Sequence, residues 1–215
     1  MIESYLLNHP WLPASLWAVL YTSDYQLTLW GARLHGKQDV YRYEGSYELT
    51  PDYQEDVDKQ KPVSFTFILW LVAGAIILLA TGYIPGSKAV YGAIVGYFLT
   101  LEVAVHLRHI DNISLYRSQV GPNPSASGSI VFTRTGLYRR SAVQLAGFAS
   151  ATLIAYAITG SPILLGGAVS VSGIALRHLR LARRRAKPGD GHQQPAPEKP
   201  EEDEITSDKG AGSNV

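Results

Sequence analysis

The chain has 215 residues, 46% of them hydrophobic, with a formal net charge of +1 and no cysteine. This length holds one or two domains, and the lack of cysteine excludes a disulfide framework, a thiolate metal site and a cysteine nucleophile. The near-zero net charge hides strong segregation: residues 63–87, 89–101 and 141–176 carry no charge at all.

Uncharged apolar runs of roughly 18 residues or more are candidate membrane spans, because ~20 helical residues cross the hydrocarbon of a bilayer. The expected fold is therefore an all-α integral membrane protein. It has four transmembrane helices arranged as two hairpins, an interfacial N-terminal segment and a small cytoplasmic strand pair.

Residues 1–62 form the N-terminal region. The start has no basic segment, and two prolines break its apolar stretch, so it does not read as a signal peptide. Leu12, Leu16, Val19 and Leu20 fall on one helical face beside Trp11, Trp17 and Tyr21. Tryptophan and tyrosine favour the bilayer interface, and Asp24 and Arg33 interrupt a full crossing, so a short helix lying on the membrane is expected. Residues 40–50 alternate, with Tyr41, Tyr43, Tyr47 and Leu49 on one side and Arg42, Glu44 and Glu48 on the other, as in a strand. A lone strand is unstable, and residues 129–135 have the one comparable later composition, so the two are expected to pair. Residues 52–61 are charged, compatible with helix, and lead toward the first span.

The first hairpin occupies residues 63–106, turning at Pro85 and Gly86. A basic cytoplasmic loop follows over 107–140, then a second hairpin over 141–181 that turns at Gly160, Ser161 and Pro162. Small residues four apart let helix backbones approach, so Gly92, Gly96, Gly166 and Gly173 are expected on packing faces, including those of a homo-oligomer or a membrane-protein partner. The short turns carry only Lys88, whereas Arg108, Arg117, Arg139, Arg140, Arg177 and Arg180 flank the other ends of the spans. Basic flanks stay cytoplasmic, which with an even number of spans places both termini in the cytoplasm of a cell-membrane protein. The tail over 182–215 is rich in Pro, Gly, Glu, Asp and Lys and is expected to be disordered.

Three readings attach to the polar stripe at the end of the second span. Glu102, His106 and His109 recur at helical spacing, and ionisable groups inside a span invite a functional explanation. In the first reading the chain is a non-catalytic scaffold or accessory subunit, with the stripe as packing and the six arginines above contacting anionic lipid headgroups. In the second, the stripe lines the conduit of a small ion or solute channel or carrier. In the third, Glu102, His106, His109 and His178 hold a metal in a membrane enzyme, since imidazole and carboxylate suit zinc or iron. The multiple-histidine sets of membrane hydroxylases and desaturases are absent. Residues 121–128 offer no phosphate-loop lysine, and nucleic acid is not expected, because the arginines abut the membrane. The sequence names no cofactor.

Overall fold

The computed structural model describes residues 2–121 and 124–186; the expected disordered tail, from residue 187 onward, lies outside the described residues. The order is α1 (Ile2–Asn8), α2 (Trp11–His35), β1 (Tyr41–Tyr43), α3 (Pro51–Asp58), α4 (Phe65–Tyr83), α5 (Lys88–Arg117), β2 (Ile130–Phe132), α6 (Arg134–Thr159) and α7 (Pro162–Arg185).

Four helices, α4 to α7, are long and apolar enough to cross a membrane. Only Phe67, Gly74 and Leu78 are buried along α4, while Phe65, Leu69, Trp70, Val72 and Ile76 are exposed. An apolar face that continuous fits a hydrocarbon surround and not water. The helix boundaries follow local chemistry. Ser64 accepts a hydrogen bond from the Phe67 amide (3.0 Å) at the start of α4, and Thr133 accepts one from the Gly136 amide (3.1 Å) at the start of α6. Gly160, at φ 66°, ends α6 in the left-handed region, and Pro162 opens α7.

The charged continuation of the second span is helix, not loop. α5 runs to Arg117 and α6 begins at Arg134, so the expected 107–140 loop is helical over 107–117 and 134–140. Likewise α7 runs to Arg185, past the expected start of the tail. The strand is shorter than its alternation suggests. Gly45, at φ 81°, turns the chain just after Tyr43, and the remaining residues pair in parallel as Tyr41 with Ile130, Arg42 with Val131 and Tyr43 with Phe132.

The largest departure is α2. It does not lie across the end of the bundle but stands between α4 and α5. Trp17 donates its indole N–H to the Leu71 carbonyl (3.2 Å) beside Gly74, while Pro10 packs on Gly82 and Tyr25 stacks on Phe67. On its other side, Leu7 meets Gly92, Trp17 meets Phe98 edge-on, Ser23 bonds His106 and His35 packs on Tyr116. α2 is thus antiparallel to α4 and parallel to α5 over their whole length. It fills the groove between the two helices expected to pack as the first hairpin, which still touch near their connecting turn, where Tyr91 of α5 reaches Gly82 of α4. The physical reason is that Asp24 finds partners inside the bundle, so it does not have to stay in water. The face expected to rest on the membrane, with Leu16 and Val19, remains exposed and points away from the bundle.

The other seam, α5 with α7, is built from small residues. A methyl group at Gly96 would strike the Ile163 carbonyl, one at Gly166 the Ala93 carbonyl, and one at Gly92 would press Pro162 Cγ at 3.0 Å. Three of the four glycines expected on packing faces are therefore used within one chain. Gly173 has open space around it and joins no helix contact in this protomer. α6 packs antiparallel on α7 through Leu145, Ala149, Val171 and Ala175, with Ala104 of α5.

Candidate functional site

At the end of the bundle that carries β1, β2 and α3, a cavity of about 410 Å³ opens between α2, α4, α5, α6 and α7. This volume falls in the range of small-ligand sites. Its lining includes apolar side chains, among them Trp70, Leu101, Val105 and Ile174, and polar ones, among them Tyr43, Tyr47, Arg108, His109, Arg140, Arg177 and His178. The cavity is amphiphilic by construction.

The segment between β1 and α3 is fixed as its roof by Arg134. This arginine is only 6% exposed. Its guanidinium donates to the Ser46 carbonyl and to the Glu48 carbonyl (2.5 Å), and its amide donates to Glu44 Oε2 (3.2 Å). Tyr138, one turn along α6, donates to the Leu49 carbonyl (3.0 Å). Arg134, within the stretch expected as a basic cytoplasmic loop, is thus an internal latch.

Several polar atoms on the cavity wall have no protein partner. Arg108 Nε, Tyr47 Oη and His109 Nδ1 are buried without a hydrogen bond. Burial pushes the Tyr47 phenol up, so it stays a neutral hydroxyl. Buried polar groups are nearly always satisfied, so such a cluster points to an absent partner. Among the described residues, no carboxylate lies within ion-pair distance of Arg108, Arg140 or Arg177. The nearby acids are otherwise engaged: Glu48 Oε1 accepts from the Thr50 amide (2.6 Å), Asp24 faces His109, and Asp52 sits exposed at the rim. No family model matches this chain, and neither a curated protein nor a solved structure shows significant similarity to it.

The expected stripe splits into two environments. Glu102 is 5% exposed and faces α2, with Oε2 unpartnered. His106 Nδ1 lies 2.7 Å from the Glu102 carbonyl and Nε2 lies 2.6 Å from Ser23 Oγ. His109 Nε2 stands 3.1 Å from both Asp24 Oδ1 and Thr28 Oγ1, the former a charge contact only if the imidazole is protonated. His178 is held apart, its Nδ1 bonded to Ser141 Oγ at 2.7 Å. The cluster with metal-like spacing is Asp24, Glu102 and His106, not the four-residue set expected from the sequence.

Of the arginines expected at headgroups, Arg140 and Arg177 are exposed yet line the cavity, and Arg108 lies deeper in its wall. Arg117, Arg139 and Arg180 are exposed outside it. Sequence reasoning treated Asp24 only as an interruption. A charged residue between Tyr21 and Tyr25, in a helix with no other charge before Arg33, carried the missing signal.

Proposed function

We propose that this is a non-catalytic multi-pass membrane protein that holds the anionic head of a membrane lipid in the cavity at Arg108. The carrying observation is the buried, unpaired Arg108 Nε in the cavity lining, with the exposed Arg140 and Arg177 lining it too. Donors that converge without acceptors suit phosphate oxygens, and guanidinium suits them best. The apolar lining at Trp70 and Ile174 suits the acyl portion.

The bundle's charge supports an orientation for this site. Arg33, Lys37, Lys59, Lys61, Arg117, Arg139, Arg180 and Arg183 all lie at the cavity end, whereas the opposite end carries Lys88. The cavity end is then cytoplasmic by the positive-inside rule, and the strand pair and α3 lie there too. Because α2 runs parallel to α5 and α7, the first residues lie at the opposite, outer end. In this reading α2 makes a fifth crossing beside the four long apolar helices, and the N-terminus lies outside, an alternative to the expectation of two cytoplasmic termini. The chain has no native cysteine, so single-cysteine labelling tests it cleanly. Ile2→Cys should react with an impermeant maleimide on intact cells and Asp39→Cys only after lysis; the reverse pattern, or protection of both, overturns the orientation.

The lipid reading is tested by native mass spectrometry of protein purified in mild detergent and supplied with phosphatidylglycerol or phosphatidylcholine. Wild type should retain phosphatidylglycerol selectively, and Arg108→Gln should lose that preference while remaining folded. Equal retention of both lipids by wild type, or an unchanged preference in the variant, contradicts the proposal.

A further inference from the structure

Behind the cavity wall, the seam between α2 and α5 holds a second polar cluster that lipid binding does not use. We propose that Asp24, Glu102 and His106 bind a divalent first-row cation of the zinc or manganese class.

The geometry comes first. One ligand atom from each of the three side chains lies within 4.8 Å of the others. Oxygen and nitrogen ligands about 2.0–2.2 Å from a shared ion stand up to ~4.4 Å apart, so closure needs only small side-chain movement. Glu102 and His106 are one turn apart on α5, which puts both on one face, and Asp24 arrives from α2.

The state of each donor fits. Glu102 is 5% exposed and its Oε2 meets no protein donor, an expensive arrangement for a carboxylate unless something else approaches it. The Glu102 carbonyl can only accept, so His106 must carry its proton on Nδ1, 2.7 Å away. That leaves the lone pair on Nε2, pointing at Ser23. Metal-binding histidines are commonly fixed by such a bond from the other ring nitrogen to a backbone carbonyl. The Ser23 hydroxyl, 2.6 Å away, is the present donor to that lone pair, and an ion would take its place as the hydroxyl turns to the Leu20 carbonyl at 2.9 Å.

Charge completes the case. Among the described residues no lysine or arginine lies within ion-pair distance of Asp24 or Glu102; the basic group that does is His109, 3.1 Å from Asp24 Oδ1, and it does not reach Glu102. A divalent ion would match the charge of these two neighbouring carboxylates. Two oxygens and one nitrogen are too few and too mixed for calcium, which takes six to eight oxygens, and suit zinc, manganese or iron. The Asp24 side chain is 21% exposed and also lines the cavity, which gives an ion a route in.

The test is elemental analysis of the full chain, purified without chelators and dialysed against Zn²⁺, Mn²⁺ or Mg²⁺, alongside an affinity titration. Wild type should hold near-stoichiometric Zn²⁺ or Mn²⁺ and no Mg²⁺. Glu102→Gln and His106→Ala should each lose at least tenfold in affinity. Ser23→Ala, which removes a competing hydroxyl and no proposed ligand, should bind as tightly as wild type or tighter. A metal-free wild type overturns the site. Metal retained equally by Glu102→Gln and His106→Ala, or lost on Ser23→Ala alone, overturns it as well.

Discussion

α5 faces two partners, and the two seams are built by opposite rules. Against α7 it presents Gly92 and Gly96, and the backbones come together with Gly166 and Gly167 on the other side. Against α2 it presents Glu102, His106 and His109, which meet Ser23, Asp24 and Thr28. The first seam leaves no room and no unpaired group at the contact. The second leaves Glu102 Oε2, Asp24 Oδ1 and His109 Nδ1 without hydrogen bonds. A helix pair selected only for association in lipid needs close packing and satisfied groups. A seam that keeps unsatisfied carboxylates inside a span is built for something that binds them. The glycine seam reads as scaffold and the polar seam as function.

Substitutions can break this contrast, and the largest effect belongs to the glycine seam. Gly96→Leu drives a side chain into the Ile163 carbonyl, where neither backbone can yield without parting the helices. Overpacking of this kind costs about 3 kcal/mol or more. The variant should be recovered poorly in detergent, with a much lower melting temperature; a wild-type melting curve would refute the seam.

Next comes the latch. Arg134→Ala removes the donors to the Ser46 and Glu48 carbonyls and leaves those acceptors under the roof of the cavity. The cost should be about 2–3 kcal/mol, and limited proteolysis should cut within residues 44–50 while the spans stay intact. Resistance equal to wild type would mean the roof is held elsewhere.

Glu102→Met should act in the opposite direction. It replaces an unpartnered buried carboxylate by an apolar side chain of similar length, and in a metal-free preparation the protein should gain about 1 kcal/mol in thermal stability. A loss of stability there would show that Glu102 is structural. The smallest effect is expected at Gly173→Leu. The position is open, so melting should move by no more than about 0.5 kcal/mol. A large drop would point to a contact made with another chain.

How much of this was legible in the sequence follows from what each signal measures. Uncharged runs located α4 to α7, because length and lack of charge are what a bilayer demands. Strand alternation located Tyr41–Tyr43 but overran it, since the pattern continues through Gly45 while the backbone turns there at φ 81°. α2 was misplaced because a rule that keeps charge in water has no knowledge of partners. Asp24 packs inside the bundle with His109 arriving from α5 at 3.1 Å. For the same reason helical spacing could group Glu102, His106 and His109 but could not add Asp24, nor detach His178, which Ser141 holds at 2.7 Å on the far side. Periodicity within one helix is local, and the site is made by two.

The central claim is that the Arg108 cavity takes the anionic head of a lipid while its tail lies along Trp70. The most direct measurement is quenching of Trp70 fluorescence by lipids brominated on the acyl chain, with Trp70→Phe subtracted to remove the other three tryptophans. Brominated phosphatidylglycerol should quench Trp70 at much lower mole fraction than brominated phosphatidylcholine, and Arg108→Gln should erase the difference. Equal quenching by the two lipids in wild type would contradict the account.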